Sequence, residues 1–347
     1  MTESPPSLVE TGRPTLKTIA AETGLAVATV SRALKDAPDI GEETKRRVRE
    51  TALRLGYRPN RAGVRLRTGK TNVIALVLST EADVMNHASR LIYSAVEALR
   101  GTAYHVVIMP FFGDEDPMAP IRYLVETESA DGVILNQTMI DDPRVRYLTE
   151  QGLPFATHGR TETELHHPYF DYDNEAFARI TTFELARRGR KRMLLVAPPQ
   201  TQAYAGHMIK GFRDACAELG LPGEVLETVH SDSGAVQIEA AIAARMAQPL
   251  PPDGLLVGST TAAMAAVNGA EQLRLKIGVD YDLAAKEALN FLLRFRREII
   301  VLHEDVAKAG NFLAHALIAA IEHRTLDPAQ FLDKPTQADL ETYPIGD

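Results

Sequence analysis

Cysteine is almost missing from this 347-residue chain, which has only Cys216. No intrachain disulfide can form, and a reducing compartment is expected. Tryptophan is absent and aromatic residues make up 6%, a composition that disfavours a site built to stack a flat nucleobase. No apolar run reaches the roughly 18–20 residues needed to cross a bilayer. The opening residues MTESPPSLVE lack the basic and apolar blocks of a secretory signal. A cytoplasmic protein without membrane contact is therefore expected. Catalytic signatures are missing too: there is no GxSxG, Walker A loop, HExxH or CxxC. The pair His166-His167 has no further His or Cys at metal-ligand spacing and reads as a surface loop. Neither enzymatic activity nor a metal or cofactor is expected.

What is present is an uneven distribution of charge. The net charge is −8, yet residues 1–70 hold 14 basic against 8 acidic side chains, +6, and the remainder carries −14. A basic head on an acidic body is the electrostatic footprint of a small nucleic-acid reader joined to a larger domain with another task.

The pattern within the head agrees. Residues 1–14, with Pro5, Pro6 and Pro14, read as a disordered tail. A helix is expected from Leu16, capped by Thr15 and stopped at Gly24, whose lack of a Cβ suits a tight turn. A second helix carries Ala28-Thr29-Val30-Ser31-Arg32-Ala33-Leu34, without a good N-cap because Ala26 stands at its start. A third opens at Glu42-Glu43, where carboxylates suit the positive end of the helix dipole, and closes at Gly56. Ile19, Ala20, Leu25, Val30 and Leu34 are the expected small core. Two helices joined by a short Gly turn form a helix-turn-helix, whose second helix enters the major groove.

ThrValSerArg at 29–32, GlyTyrArgProAsn at 56–60 and the strand pattern after Thr71 together resemble the LacI/GalR family of bacterial repressors. The resemblance implies a headpiece at 15–59, a hinge at 60–70 and a two-lobed effector-binding and dimerisation domain at 71–347. It places Val27, Ala28 and Arg32 at base edges. Arg32 has two parallel donors for guanine O6 and N7; Val27 offers only apolar surface, and core packing is its competing role. Thr29 is a candidate phosphate contact, and Thr15, Tyr57 and Asn60 are implied as further DNA contacts. Leu66 either wedges into the central minor groove or packs on the effector domain. Gly63 stands where the family has Ala.

From residue 71 apolar strands alternate with amphipathic helices: 72–78, 105–109, 132–135, 154–157, 192–197, 254–258, 282–285 and 298–302 read as strands. Continuous Val/Ile/Leu runs suit parallel strands buried on both faces, and their alternation with helices predicts a doubly wound parallel sheet; with the resemblance, the expected fold is an all-α helix-turn-helix headpiece followed by an α/β periplasmic-binding-protein-like domain of two such lobes. The resemblance further implies that the chain crosses between lobes more than once, that strand 298–302 returns to the first lobe, and that 326–347 is a tail over the surface.

Asn86, Arg160, His207, Ser259, Lys286 and Glu287 are the candidate effector contacts, a polar set that suits a sugar or sugar alcohol. Arg160 reads equally as a loop ion pair, and Asp173 reads first as an N-cap. Met208 replaces an effector-binding Arg of the family, and Lys286 an aromatic. The expected function is a ligand-controlled repressor of a carbohydrate-utilisation operon: a homodimer, or a tetramer, on pseudo-palindromic operator DNA, released by a carbohydrate inducer. The alternatives are a corepressor-dependent regulator of the purine type and a solute-binding protein that does not touch DNA.

Overall fold

The structure, a computed structural model, describes residues 14–57, 65, 69–79, 82–112, 115–324 and 327–342, and of residues 82–86 the backbone alone. It divides into two compact units, 1–71 and 72–347.

In the first unit, α1 (Leu16–Thr23), α2 (Val27–Leu34) and α3 (Glu42–Arg54) close around Ile19, Ala20, Val30, Ala33, Val48 and Ala52, with Leu25, Leu34 and Tyr57 partly buried at the margin. Thr15 caps α1 in a reciprocal box: its Oγ1 accepts from Thr18 N at 3.3 Å and its own N donates to Thr18 Oγ1 at 3.1 Å. Gly24 ends α1 at φ 66°, a left-handed conformation that an L side chain resists. Ala26 makes no side-chain cap bond to α2.

The second unit holds two six-stranded sheets. The first contains β1 (Val73–Ser79), β2 (His105–Phe111), β3 (Gly132–Leu135), β4 (Phe155–His158), β5 (Tyr169–Tyr172) and β11 (Gln330–Asp333), in the order β11-β5-β4-β3-β1-β2. Every pairing in it is parallel. The second contains β6 (Met193–Val196), β7 (Gly223–Val225), β8 (Gly254–Val257), β9 (Asp282–Glu287), β10 (Ile300–His303) and β12 (Leu340–Glu341), in the order β12-β10-β9-β8-β6-β7. Only β12 runs antiparallel, against β10. β3, β4, β6 and β8 are buried at every position, as continuous apolar runs require. β2, at the sheet edge, is not.

The chain crosses between the sheets three times, after β5, after β10 and between β11 and β12. Two expectations are corrected here. The strand near residue 300 stays in the second sheet, paired with β9; the element that returns to the first lobe is the next helix, α12 (Val306–Ile321), the twelfth described. It packs beside α4 (Ala82–Ala98), so closely that a Cβ at Gly310 would sit 2.7 Å from the Leu91 carbonyl oxygen. The segment after 326 is more than a surface tail, since Gln330–Asp333 extends the first sheet and Leu340–Glu341 the second.

Candidate nucleic-acid interface and ligand cleft

Helix α2 turns Val30 and Ala33 into the headpiece core. The 3.6-residue period then directs Val27, Ala28 and Arg32 outward, and all three are exposed, Val27 by 41%. Core packing of Val27 is thereby ruled out. Thr29 and Ser31 are half-buried beside this face.

The basic residues of α3 are engaged within the headpiece. Arg46 pairs with Glu43 and Glu50, Arg49 and the buried Lys45 with Asp36, and Arg54 with Glu22. Arg47 donates to the Thr23 carbonyl. Lys17 and Lys35 are exposed and carry no ion pair among the described residues. Tyr57 is half-buried against the headpiece core. Asn60, Gly63 and Leu66 lie outside the described residues.

In open α/β sheets ligands bind beyond the carboxyl ends of the strands, where the strand order reverses. Both sheets obey this rule on a shared cleft. Asn136 and Gln137 follow β3, His158 ends β4, Asp171 lies in β5, and Asn174 begins the next helix. From the second sheet, Gly258, Ser259 and Thr260 follow β8, Lys286 lies near the end of β9, and Glu304 follows β10. His87, Tyr204, Ser231 and Asp232, with Gly159, Ala288 and Leu289, complete the lining around ≈ 850 Å³ of empty space, open solvent at the mouth included.

Glu304 organises the charge of the cleft. Its Oε1 lies 3.3 Å from His87 Nε2 and 3.5 Å from His158 Nε2, and its Oε2 lies 2.8 Å from Lys286 Nζ. Burial alone would raise the Glu304 carboxyl, but Lys286 and the two imidazoles hold it well below the usual range. Burial lowers His158, which Glu304 only partly offsets. Lys286 also donates to Asn174 Oδ1 at 3.1 Å and lies over the rings of Tyr172 and Tyr204. Gln137 Nε2 is buried without a hydrogen-bond partner among the described residues, and Asp171 Oδ2 has only the Arg160 ion pair. A ligand rich in hydroxyls supplies the donors and acceptors that such atoms need.

Of the six residues expected at this site, Ser259 and Lys286 line the cleft. Ser259 also caps α10 (Thr260–Gln272), accepting from Ala262 N, and donates to the Ser231 carbonyl. Arg160 is not among the lining residues, and its Nε lies 3.2 Å from Asp171 Oδ2 in the expected ion pair. Glu287 alternates to the other side of β9 from Lys286; its Oε1 accepts from Phe291 N and Leu292 N at 2.5 and 2.8 Å. It holds a turn and is not among the cleft residues. His207 is also outside the lining, with Nε2 3.8 Å from Glu162 Oε1. Asn86 falls where only the backbone is described. Asp173 caps its helix through Ala176 N at 3.0 Å. His167 lies in the loop before β5 but not at its surface: it is buried, between Thr157 Oγ1 at 3.0 Å and the Leu165 carbonyl at 2.9 Å, while His166 is exposed.

Sequence reasoning missed His87, Asn136, Gln137, His158, Asp171 and Glu304. A usable signal existed for some of them, since each polar residue directly after an apolar strand run is a candidate under the carboxyl-end rule.

Burial pushes the Asp171 carboxyl up to about 7 from 3.8, against the pull of Arg160. A raised acid binds a proton on folding, so its stabilisation is full below the unfolded value and is lost as pH rises through the folded one. Asp171→Asn cannot titrate. Between pH 5 and pH 8 the wild type should lose about 2 kcal/mol relative to Asp171→Asn, read as a difference in thermal melting. Parallel pH profiles for the two proteins would contradict the assignment.

Comparison with known proteins agrees with both halves. Residues 15–60 match the family described as bacterial regulatory proteins, lacI family, and residues 72–292 match the periplasmic binding proteins and sugar binding domain of LacI family. The chain is 31% identical over 323 residues to the HTH-type transcriptional regulator AglR of Rhizobium meliloti, covering 91% of this chain and 90% of that one. Among solved structures, the lac repressor dimer bound to operator and the anti-inducer ONPF superposes with a TM-score of 0.82 at 17% identity, covering 93% of this chain and 97% of the other. A complex of the transcriptional regulator CelR with cellobiose gives 0.64 at 22% identity, covering 92% and 97%. No helix among the described residues is long and apolar enough to cross a membrane.

Proposed function

The chain belongs to the LacI family of DNA-binding bacterial transcriptional regulators, and on that premise we propose that it is a cytoplasmic, homodimeric repressor of a carbohydrate-utilisation operon, released by a sugar or sugar alcohol. It is not an enzyme in this reading. The observation that carries the reading is the outward face of α2, where Val27, Ala28 and Arg32 stand exposed on a helix whose opposite side holds the headpiece core. Arg32 reads guanine, Val27 and Ala28 meet thymine methyls, and Thr15, Thr29 and Tyr57 support the register on phosphates. Asn60 and Leu66 belong to a hinge that contacts the minor groove at the operator centre. The carbohydrate assignment rests on the hydrogen-bonding chemistry of the cleft, with Asn136, Gln137, Asp171, Ser259 and Lys286 as its contacts. The cellobiose bound by CelR is consistent with it.

The test uses a duplex selected by the full-length protein from a randomised pool. Arg32→Ala should weaken binding to that duplex by roughly 1–3 kcal/mol and relax the preference at one symmetric position of each half-site. Loss spread evenly over all sequences would mark Arg32 as a phosphate contact and remove the base-reading assignment.

A further inference from the structure

In the headpiece, Arg32 is not free. Its Nη2 is ion-paired with Asp39 Oδ2, with the arginine side chain 57% and the aspartate 46% exposed. Asp39 lies in the loop between α2 and α3, seven residues after Arg32. The other aspartate of that loop, Asp36, is committed elsewhere, to Lys45 at 3.1 Å and Arg49 at 2.7 Å. Among the described residues Asp39 has no ion-pair partner besides Arg32. A carboxylate therefore sits directly on the residue that reads the base, on a face whose ligand is a polyanion.

That placement has a cost and a use. An unpaired carboxylate beside DNA repels phosphates, and the repulsion is the same on every sequence. Paired, it acts differently. A guanidinium has five N–H donors in a fixed planar fork. One aspartate oxygen takes one of them and leaves others for a bidentate bond to guanine O6 and N7. The aspartate also limits the rotamers of a long, exposed side chain before DNA arrives, so less freedom is lost on binding.

Building on the assignment of Arg32 to a base, we propose that Asp39 is a positioning residue for base recognition: it holds the Arg32 guanidinium in the orientation that reads guanine and penalises DNA on which Arg32 finds no guanine. On a cognate site the Arg32–Asp39 pair stays together and the base completes the set. On other sequences Arg32 is drawn toward phosphate, and Asp39 is left unpaired against the backbone charge. Asp39 thus contributes to specificity more than to affinity.

The experiment compares full-length wild type, Asp39→Asn, Arg32→Ala and the double variant. Each is titrated by fluorescence anisotropy, at one fixed salt concentration, with the selected duplex and with a scrambled duplex of the same composition. Asp39→Asn should tighten binding to the scrambled duplex while binding to the selected duplex stays level or weakens, so that the ratio of the two affinities falls by roughly fivefold. With Arg32 already replaced by Ala, adding Asp39→Asn should leave the ratio unchanged. Equal tightening on both duplexes would overturn the proposal, because Asp39 would then act only as a charge opposed to DNA. A ratio that falls equally with and without Arg32 would overturn it as well. If Arg32→Ala by itself leaves the ratio intact, the base-reading assignment fails first, and that result is distinct from either of the others.

Discussion

Replacing Arg144 by alanine should cost the second unit about 3–5 kcal/mol of stability, the loss typical of breaking a buried ion pair from one side. Arg144 is 1% exposed and Asp142 fully buried. The arginine donates from Nε to Asp142 Oδ1 at 3.0 Å and from Nη2 to Asp142 Oδ2 at 2.7 Å. Nη2 also reaches the carbonyls of Gln137 at 2.8 Å and Asn136 at 3.2 Å. One side chain thus satisfies a buried carboxylate and fixes the loop that carries two cleft residues. That loop needs fixing, because Gln137 has φ 52°, a conformation uncommon for a residue with a Cβ and found where the surroundings over-determine it.

Burial alone would raise the Asp142 carboxyl, but the Arg144 bonds more than offset it and keep it below 3.8. A depressed acid contributes stability above its unfolded value that is lost as pH falls through the folded one. The deficit of Arg144→Ala should therefore be larger at pH 7 than at pH 4. Urea unfolding at the two pH values measures this. A deficit under about 1 kcal/mol, the scale of an exposed pair, would show that Arg144 is not the brace described.

The headpiece was legible in the chain because its rules are local. A Thr cap, a Gly stop, an apolar face at 3.6-residue spacing and a basic outer face all lie within forty-odd residues. Eight of the twelve described strands were legible in place because Val/Ile/Leu runs mark burial on both faces. Their partners were not. Which sheet β10 joins depends on pairing with β9 and on where α12 lands, and neither is encoded in a window of ten residues. Tyr169–Tyr172 escaped because Asp171 interrupts its apolar run, and Gln330–Asp333 because it is an edge strand with exposed positions.

The cleft was the least legible part. Glu304 draws together His87, His158 and Lys286 from three separate elements, a convergence that only the tertiary fold creates. Glu287 was misleading because it is adjacent to Lys286, and adjacent residues on a strand face opposite sides. The basic residues from Arg187 to Arg192 depend on the tertiary fold in the same way. In the structure Arg187 and Arg188 pair with Glu184, Arg190 with Asp282 and Arg192 with Asp253.

A ligand that bonds residues of both lobes biases the angle between them. Asn136 and Asp171 come from the first lobe, Ser259 and Lys286 from the second. DNA affinity changes only if that ligand binds the DNA-bound and DNA-free states unequally, and the coupling is then reciprocal. Couplings of this kind are typically about 1–3 kcal/mol, so a saturating inducer should weaken binding roughly 5- to 150-fold.

The deciding measurement is the anisotropy of the selected duplex bound to full-length wild type, titrated with a panel of mono-, di- and oligosaccharides and sugar alcohols. The account predicts that at least one carbohydrate releases the duplex with that loss of affinity, that it also raises the melting temperature of the protein without DNA, and that Asp171→Ala blunts both responses. Sequence-specific binding that no carbohydrate weakens, or that a carbohydrate strengthens, would contradict it.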